Sequence, residues 1–334
     1  MSTIQTYDRV GIAEDVSDII TNIDPTSTPF QTMIGTGKVH NTFYQWQEDD
    51  YRGVKVNAAV EGADGVATTR GTTTMRGNHT QILEETFQIS DRTERVKLYG
   101  RRSETRYQSA KVAKELKRDL EHALIGRAQN AAAGDASTAS FFGNVFGQDA
   151  GPSGAANMVE TRAALGGEVM TEEDLLSLHQ SLYLEGSNPT TLMITPLDSL
   201  SVAEFAASAG RERDFGHSKK VVNVVDLYVS PFGEVKVVLN RFLQAYIADD
   251  ADVPGEQVDP TATNDPDTNP DQLGTAILFD PSMWQLVSLR PWRRTKLAKT
   301  GDAEKYQMLG EYGLKHKNYL CSGVFTGIGQ APAT

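Results

Sequence analysis

The chain has 334 residues, and its 32 Lys and Arg against 44 Asp and Glu give a formal charge of −12. A global attraction to DNA or to an acidic membrane is therefore excluded, and any such contact must be local. No segment approaches the roughly 18 uninterrupted apolar residues of a spanning helix, and the length is ample for a core in one or two domains.

Met1 to Val10 has no basic stretch followed by an apolar one, so no secretory signal is expected. From Gly11 onward Ile12, Val16, Ile19, Ile20 and Ile23 recur at helical spacing until Asp24-Pro25, predicting an amphipathic helix of about three turns. Thr26 to Lys38 is rich in Thr, Ser, Pro and Gly around Phe30 and Ile34. It reads as an extended arm that needs a surface to lie on. Within it Gly35-Thr36-Gly37-Lys38 lacks the spacing of a phosphate loop and reads as a turn.

Strand-like pieces around Thr42 to Trp46 and Gln81 to Ile89 flank a polar, glycine-punctuated stretch whose centre, Gly62 to Thr74, cannot bury itself. The expectation is a long two-stranded excursion that orders against another subunit, since an isolated ribbon is marginal in water. Arg101 to Ala133 then holds the longest predicted helix, with Val112, Leu116, Leu120, Leu124 and Ala128 in one row. Its basic residues outnumber its acidic ones by eight to four. That excess fits either a solvated face with intrahelical pairs such as Lys111 with Glu115, or a face turned toward an acidic neighbour or nucleic acid.

Ala131 to Gly167 is a small-residue connection interrupted by Phe141, Phe142, Val145 and Phe146. Thr171 with Asp174 predicts a capped helix ending at Gly186. A strand over Thr191 to Thr195, a helix from Pro196 to about Gly210, and strands over Val221 to Val229 and Glu234 to Asn240 follow, the last two joined by the turn Ser230-Pro-Phe-Gly233. This alternation reads as a mixed α/β unit. Phe242 to Leu289 contains no Lys or Arg, while Asp249 to Asp271 is acidic and broken by Pro254, Pro260, Pro266 and Pro270, an exposed loop. Strands are expected at Thr275 to Phe279 and Trp284 to Leu289, a basic return at Arg290 to Lys299, and a long strand pair within Gln307 to Thr326.

The chain offers little for chemistry. Its six histidines (40, 79, 122, 179, 217 and 316) include no His-x-x-x-His pair, and no Gly-x-Ser-x-Gly elbow exists. Cys321 alone forms neither a disulfide nor a thiolate cluster; a buried thiol in a reducing compartment is the natural reading. Asp265, Asp267, Asn269 and Asp271 alternate like the start of a calcium loop, but Pro270 and Ala276 stand where glycine and glutamate are required. A metal-dependent hydrolase built on that loop would lack a histidine or base. Glu84-Glu85 and Glu172-Glu173 diverge as neighbours must. No enzyme activity and no cofactor are expected.

The quoted order of elements, together with Ile20 to Phe30, Tyr44-Gln-Trp-Gln47, Glu61-Gly62, Val225 to Val229, Phe232 to Phe242, Arg290-Pro-Trp292 and Leu297 to Asp302, resembles the major capsid proteins of tailed bacteriophages with the Hong Kong 97-like fold. The resemblance implies an α+β chain in five parts: an N-terminal arm (1–45), an extended loop (46–80), a peripheral domain (81–169) with a spine helix over 101–130, an axial domain (170–280) carrying the acidic loop 249–271, and closing peripheral strands (281–334). It implies hexamers and pentamers tiling an icosahedral shell around double-stranded DNA, assembled in the host cytoplasm with a portal protein, a separate scaffolding protein and in some cases a decoration protein. DNA contact would be weak and non-specific. An encapsulin-like compartment shell shares the fold and is the alternative. The expected inter-subunit contacts are Phe30 and Ile34 in the arm, Trp46, Arg52, Glu61, Arg70 and Arg76 in the loop, Arg101 and Arg102 at the helix start, and Trp292, Arg293 and Arg294 in the basic return. Some relatives cross-link a lysine to an asparagine; Lys55 and Asn318 match by residue type alone, and a bond between them is not expected.

Overall fold

The computed structural model describes residues 27–329 apart from 63, 66, 98, 127, 153, 197, 200, 203–204, 206–226, 244–273 and 300. The helix expected after Gly11, most of that expected after Pro196, and the acidic loop lie outside the described residues. In chain order the elements are α1 (Pro29–Met33), β1 (Gly35–Lys38), β2 (Phe43–Glu48), β3 (Thr74–His79), β4 (Gln81–Ser90), α2 (Asp91–Arg95), α3 (Glu104–Ile125), β5 (Thr161–Ala164), α4 (Glu172–Leu184), β6 (Thr191–Ile194), β7 (Leu227–Ser230), β8 (Gly233–Leu239), β9 (Gly274–Phe279), β10 (Trp284–Lys296), β11 (Ala303–His316) and β12 (Ser322–Ile328). Short 3-10 turns occupy Pro281–Met283 and Tyr319–Cys321.

The strands form a four-stranded sheet in the order β1-β10-β11-β4, a six-stranded sheet β5-β12-β9-β6-β8-β7, and the separate ribbon β2-β3. β10 and β11 run antiparallel from Trp284 opposite His316 to Lys296 opposite Tyr306. Their register shifts between Ser288 and Arg293, where Pro291 has no N–H for the ladder and a bulge absorbs it. Four expectations are corrected here. Gly35–Lys38 is a strand parallel to β10 instead of a turn. Gln81 to Ile89 pairs with β11 in the closing sheet, and β3 takes its expected place as the ribbon partner of β2. The long pair expected within Gln307 to Thr326 divides, β11 and β12 going to different sheets.

The fourth concerns the spine helix, expected over 101–130 and observed over Glu104–Ile125. Ser103 is extended and its Oγ accepts from Arg106 N, an N-cap that fixes the start. At the other end Asn144 Nδ2 donates to the Ala123 carbonyl and Val145 N to that of Leu124, so returning chain satisfies the last-turn acceptors. Val112, Leu116, Leu120 and Leu124 are buried as the row predicts, while Ala128 lies past the end and is exposed. α4 carries the capping box expected: Thr171 Oγ1 accepts from Asp174 N, and Asp174 Oδ2 accepts from Thr171 N at 2.9 Å. It stops before Gly186, whose φ of +89° suits a residue without Cβ.

Two apolar clusters result. One joins α1, the ribbon base, the end of α3 and the start of β10 around Phe30, Phe142, Phe279 and Trp284; the other joins α4 to β6, β9 and β12 around Leu175, Leu182, Leu192 and Phe325. Phe142, Val145 and Phe146 give the glycine-rich connection its place in the first.

Candidate assembly surfaces

Between β2 and β3, residues 49–73 have no regular structure, and every described residue among them is exposed. Tyr51, Val54, Val56 and Val60 stand almost wholly in solvent. Val54, Val56 and Val60 fall at alternate positions, the spacing that puts side chains of an extended segment on one side. Such a run of exposed apolar residues is what a docking segment presents. Arg52, Glu61 and Arg70 are exposed on the same excursion. Arg52 Nη1 donates to the neighbouring Gly53 carbonyl at 3.1 Å, its one hydrogen bond among the described residues.

The base of the excursion is rigidly rooted. Tyr44, Trp46 and Glu48 alternate inward on β2, and β3 sets Asn78 opposite Tyr44 and Arg76 opposite Trp46. Asn78 Nδ2 donates to the Gly143 and Leu314 carbonyls at 2.9 and 2.7 Å, and Tyr44 Oη donates to the same Leu314 carbonyl at 2.7 Å. Arg76 Nε meets Glu48 Oε2 at 3.1 Å; its Nη1 meets Asp149 Oδ2 at 3.2 Å and the Asn157 carbonyl at 3.0 Å. The guanidinium also lies 4.0 Å from the centre of the Tyr319 ring. Burial pushes the Glu48 carboxyl up, while the Trp46 indole N–H and Arg76 pull it back. The braced segment comes close enough that a Cβ on Gly151 would stand 2.9 Å from the Met75 carbonyl oxygen, so glycine is required there. Arg76 and Trp46, expected at a subunit boundary, are thus both buried in their own chain. The alternation of β2 carried a signal for Trp46; nothing local in the sequence marked Arg76, whose hydrogen-bond partners are 28 to 81 residues away and whose ring partner Tyr319 is farther still.

Phe30 and Ile34 are corrected in the same sense. Phe30 is fully buried, with ring centroids 5.5 Å from Phe279 and 5.9 Å from Trp284. Proline at the first turn starts α1, and the free N–H groups of Phe30 and Gln31 donate to the two oxygens of Glu121 at 2.7 and 3.0 Å. Asn240 Nδ2 adds a third bond at 2.8 Å. Glu121, which the sequence offered as one more charge on the spine helix, is in fact the buried anchor of the arm; burial raises its carboxyl and those hydrogen bonds lower it. Glu121→Ala leaves these donors without an acceptor, and a loss of about 2 kcal/mol is expected. Urea titration should register it, together with faster proteolysis near residue 30; unchanged stability and cleavage would disprove the anchor.

The remaining candidates sit on the sheet and at the head of α3. Arg101 pairs with buried Glu104 at 2.5 Å and lies over Tyr107, while Arg102 is exposed with no ion pair among the described residues. Trp292 is half-buried beside Tyr312, whose hydroxyl accepts from Trp292 N at 3.1 Å. Arg293 and Arg294 are exposed, and Arg294 Nη1 donates to Ser109 Oγ on α3 at 2.9 Å. Lys299 pairs with Asp91, tying the sheet's far end to α2. Asn318 is engaged as the cap of its 3-10 turn, its Oδ1 accepting from Leu320 N. Cys321 is half-buried, which pushes its thiol up. Among the described residues no three His, Cys, Asp or Glu side chains gather to hold a metal ion.

A family model, SU10 major capsid protein, matches residues 2–329. The major capsid protein of Escherichia phage Phieco32 is 27% identical over 371 residues, covering 98% of this chain and 97% of that protein. The Cyanophage A-1(L) capsid asymmetric unit superposes with a TM-score of 0.65 at 12% identity, covering 98% and 99% of the two chains. The holo-SrpI encapsulin complex of Synechococcus elongatus PCC 7942 does so at 0.54 with 10% identity, covering 94% and 95%. The architecture is the α+β Hong Kong 97-like capsid fold, and over nearly all its length the chain belongs to the SU10 major capsid protein family, the shell-forming proteins of phage virions.

Proposed function

We propose that this capsid protein tiles an icosahedral shell as hexamers and pentamers around double-stranded DNA. In this reading assembly takes place in the host bacterial cytoplasm with a portal protein and a separate scaffolding protein, and a decoration protein is an optional addition. The exposed excursion carries the proposal. Residues 49–73 display Tyr51, Val54, Val56 and Val60 to solvent on a base cross-braced by Arg76, which is costly for a lone subunit and useful if a neighbour covers them. The arm, loop, peripheral and axial parts expected from the sequence describe how one subunit would reach the next.

Exposed Glu61 is proposed to pair with a basic group of a neighbouring subunit, since charges at an interface rim select partner and register. Glu61→Lys is expected to reduce the yield and the melting temperature of assembled shells, measured by light scattering and electron microscopy, without altering the folding of the subunit. Unchanged yield and melting would remove Glu61 from the interface. The likeness to the encapsulin is one of fold alone. Shells holding nuclease-protected DNA would support the virion reading, and shells loaded with a protein cargo the compartment reading.

A further inference from the structure

The face of α3 turned away from the sheet is chemically one-sided. Its exposed residues are Arg106, Ala110, Lys111, Lys114, Lys117 and Asp119, four cations and one acid in a chain of net charge −12. Lys111 is engaged with Glu115 at 3.6 Å. Arg106, Lys114 and Lys117 have no ion pair among the described residues. Positions 106, 110, 114 and 117 follow one another at steps of four, four and three, so they lie along one side of the helix. At about 1.5 Å per residue the line is about 17 Å long, equal to about five base-pair steps at about 3.4 Å each. Arg294 joins it from β10, held beside the helix by its bond to Ser109.

From this arrangement we infer that the solvent face of α3, with Arg294, is where the shell wall touches the phosphate backbone of double-stranded DNA, an inference that rests on the shell reading above. Ala110 is the only apolar side chain in the row, and the cores of protein–protein interfaces are depleted in lysine, so a second copy of this chain is a poor occupant. Lysines predominate, and the row has no Asn, Gln or aromatic group to read base edges, so the contact is with phosphate and indifferent to sequence. The chain's overall negative charge opposes the contact at each subunit. Single contacts are therefore weak, and their effect comes from repetition over the wall. The inference also orients the subunit, with α3 toward the lumen.

The test compares wild type with Arg106→Gln/Lys114→Gln/Lys117→Gln, changes confined to exposed side chains. Both are first assembled with their scaffold in the absence of DNA, then studied as unassembled subunits against a fluorescent 30-base-pair duplex over a salt series. With Arg106, Lys114, Lys117 and Arg294 each neutralising one phosphate, wild type should give a slope of log K against log salt of about −3.6, from roughly 0.9 per phosphate. The variant should form shells in equal yield, bind at least tenfold more weakly at low salt, and have a slope reduced to about −1, the share of the remaining Arg294. Equal slopes and affinities, or no salt-dependent binding by wild type, would overturn the inference. A variant that loses shell formation while wild type keeps it would assign the face to a protein contact and also overturn it. Failure of wild type itself to form shells would instead strike at the shell reading.

Discussion

Arg76→Met should destabilise the subunit by about 3–5 kcal/mol, the usual consequence of removing one partner from a buried ion cluster. Glu48 and Asp149 would remain in the interior without their cation, at side-chain exposures of 4% and 1%. The Asn157 carbonyl and the Tyr319 ring would lose their partner as well. A merely exposed arginine would cost a few tenths of a kcal/mol, so urea titration separates the two cases by a wide margin. The clamp joins the ribbon to the 149–157 segment and to the turn at Tyr319, so the loss should reach beyond stability to the direction in which residues 49–73 leave the body. Shell yield should therefore fall further than the stability of the subunit alone accounts for. Glu48→Gln combined with Arg76→Met should recover part of the stability, because it removes one of the two stranded carboxylates. A double variant no better than the single one would refute the coupling between these residues, and a single variant within 1 kcal/mol of wild type would refute the clamp.

Much of the fold was legible because local rules agreed with tertiary packing. The Thr171 to Asp174 box, the Ser230 to Gly233 turn and the leucine row of α3 each depend on residues within a few positions, and each is found where its spacing puts it. The contact candidates divide along the same line. Arg70 stands exposed in Gly62 to Thr74, a stretch too poor in apolar residues to bury itself, which is a property of composition, and Arg52 and Glu61 stand exposed just ahead of it. Phe30, Ile34, Trp46 and Arg76 went the other way because their partners are remote. A five-residue helix amid Ser, Thr and Pro has no periodicity to announce it, and what holds it is a carboxylate 91 residues further on. A small-residue arm and a small-residue loop thus look alike in sequence, and distant pairing alone makes the first part of the body and leaves the second outside.

Distant pairing also builds the joint between the two sheets, and there it creates an acid-sensitive point. His316 ends β11, Trp284 opens β10, Ser322 opens β12, and the histidine ring stacks on the indole at 3.9 Å with only 6° between the planes. The Met158 carbonyl can only accept, so His316 Nδ1 carries the proton and donates at 2.7 Å. Nε2 must then accept from the Ser322 hydroxyl at 3.1 Å, whose oxygen accepts from Trp284 Nε1 at 2.9 Å. Every donor is used with the ring neutral, and a second ring proton would face the hydroxyl with no acceptor. Burial, partly offset by the Met158 bond and reinforced by Arg76, pushes the imidazole from 6.5 down to about 3. Between those values the unfolded chain holds one proton more than the folded one, so stability is complete above pH 6.5 and drains away as the pH falls toward 3. The whole window amounts to about 5 kcal/mol, and about 2 kcal/mol should be gone by about pH 5. His316→Gln can still donate to Met158 and accept from Ser322 but does not titrate, so its stability should vary less between pH 7 and 5 by about that 2 kcal/mol. Urea titrations of both proteins at several pH values would show it, and parallel pH profiles would mean that the acid sensitivity of the subunit lies elsewhere.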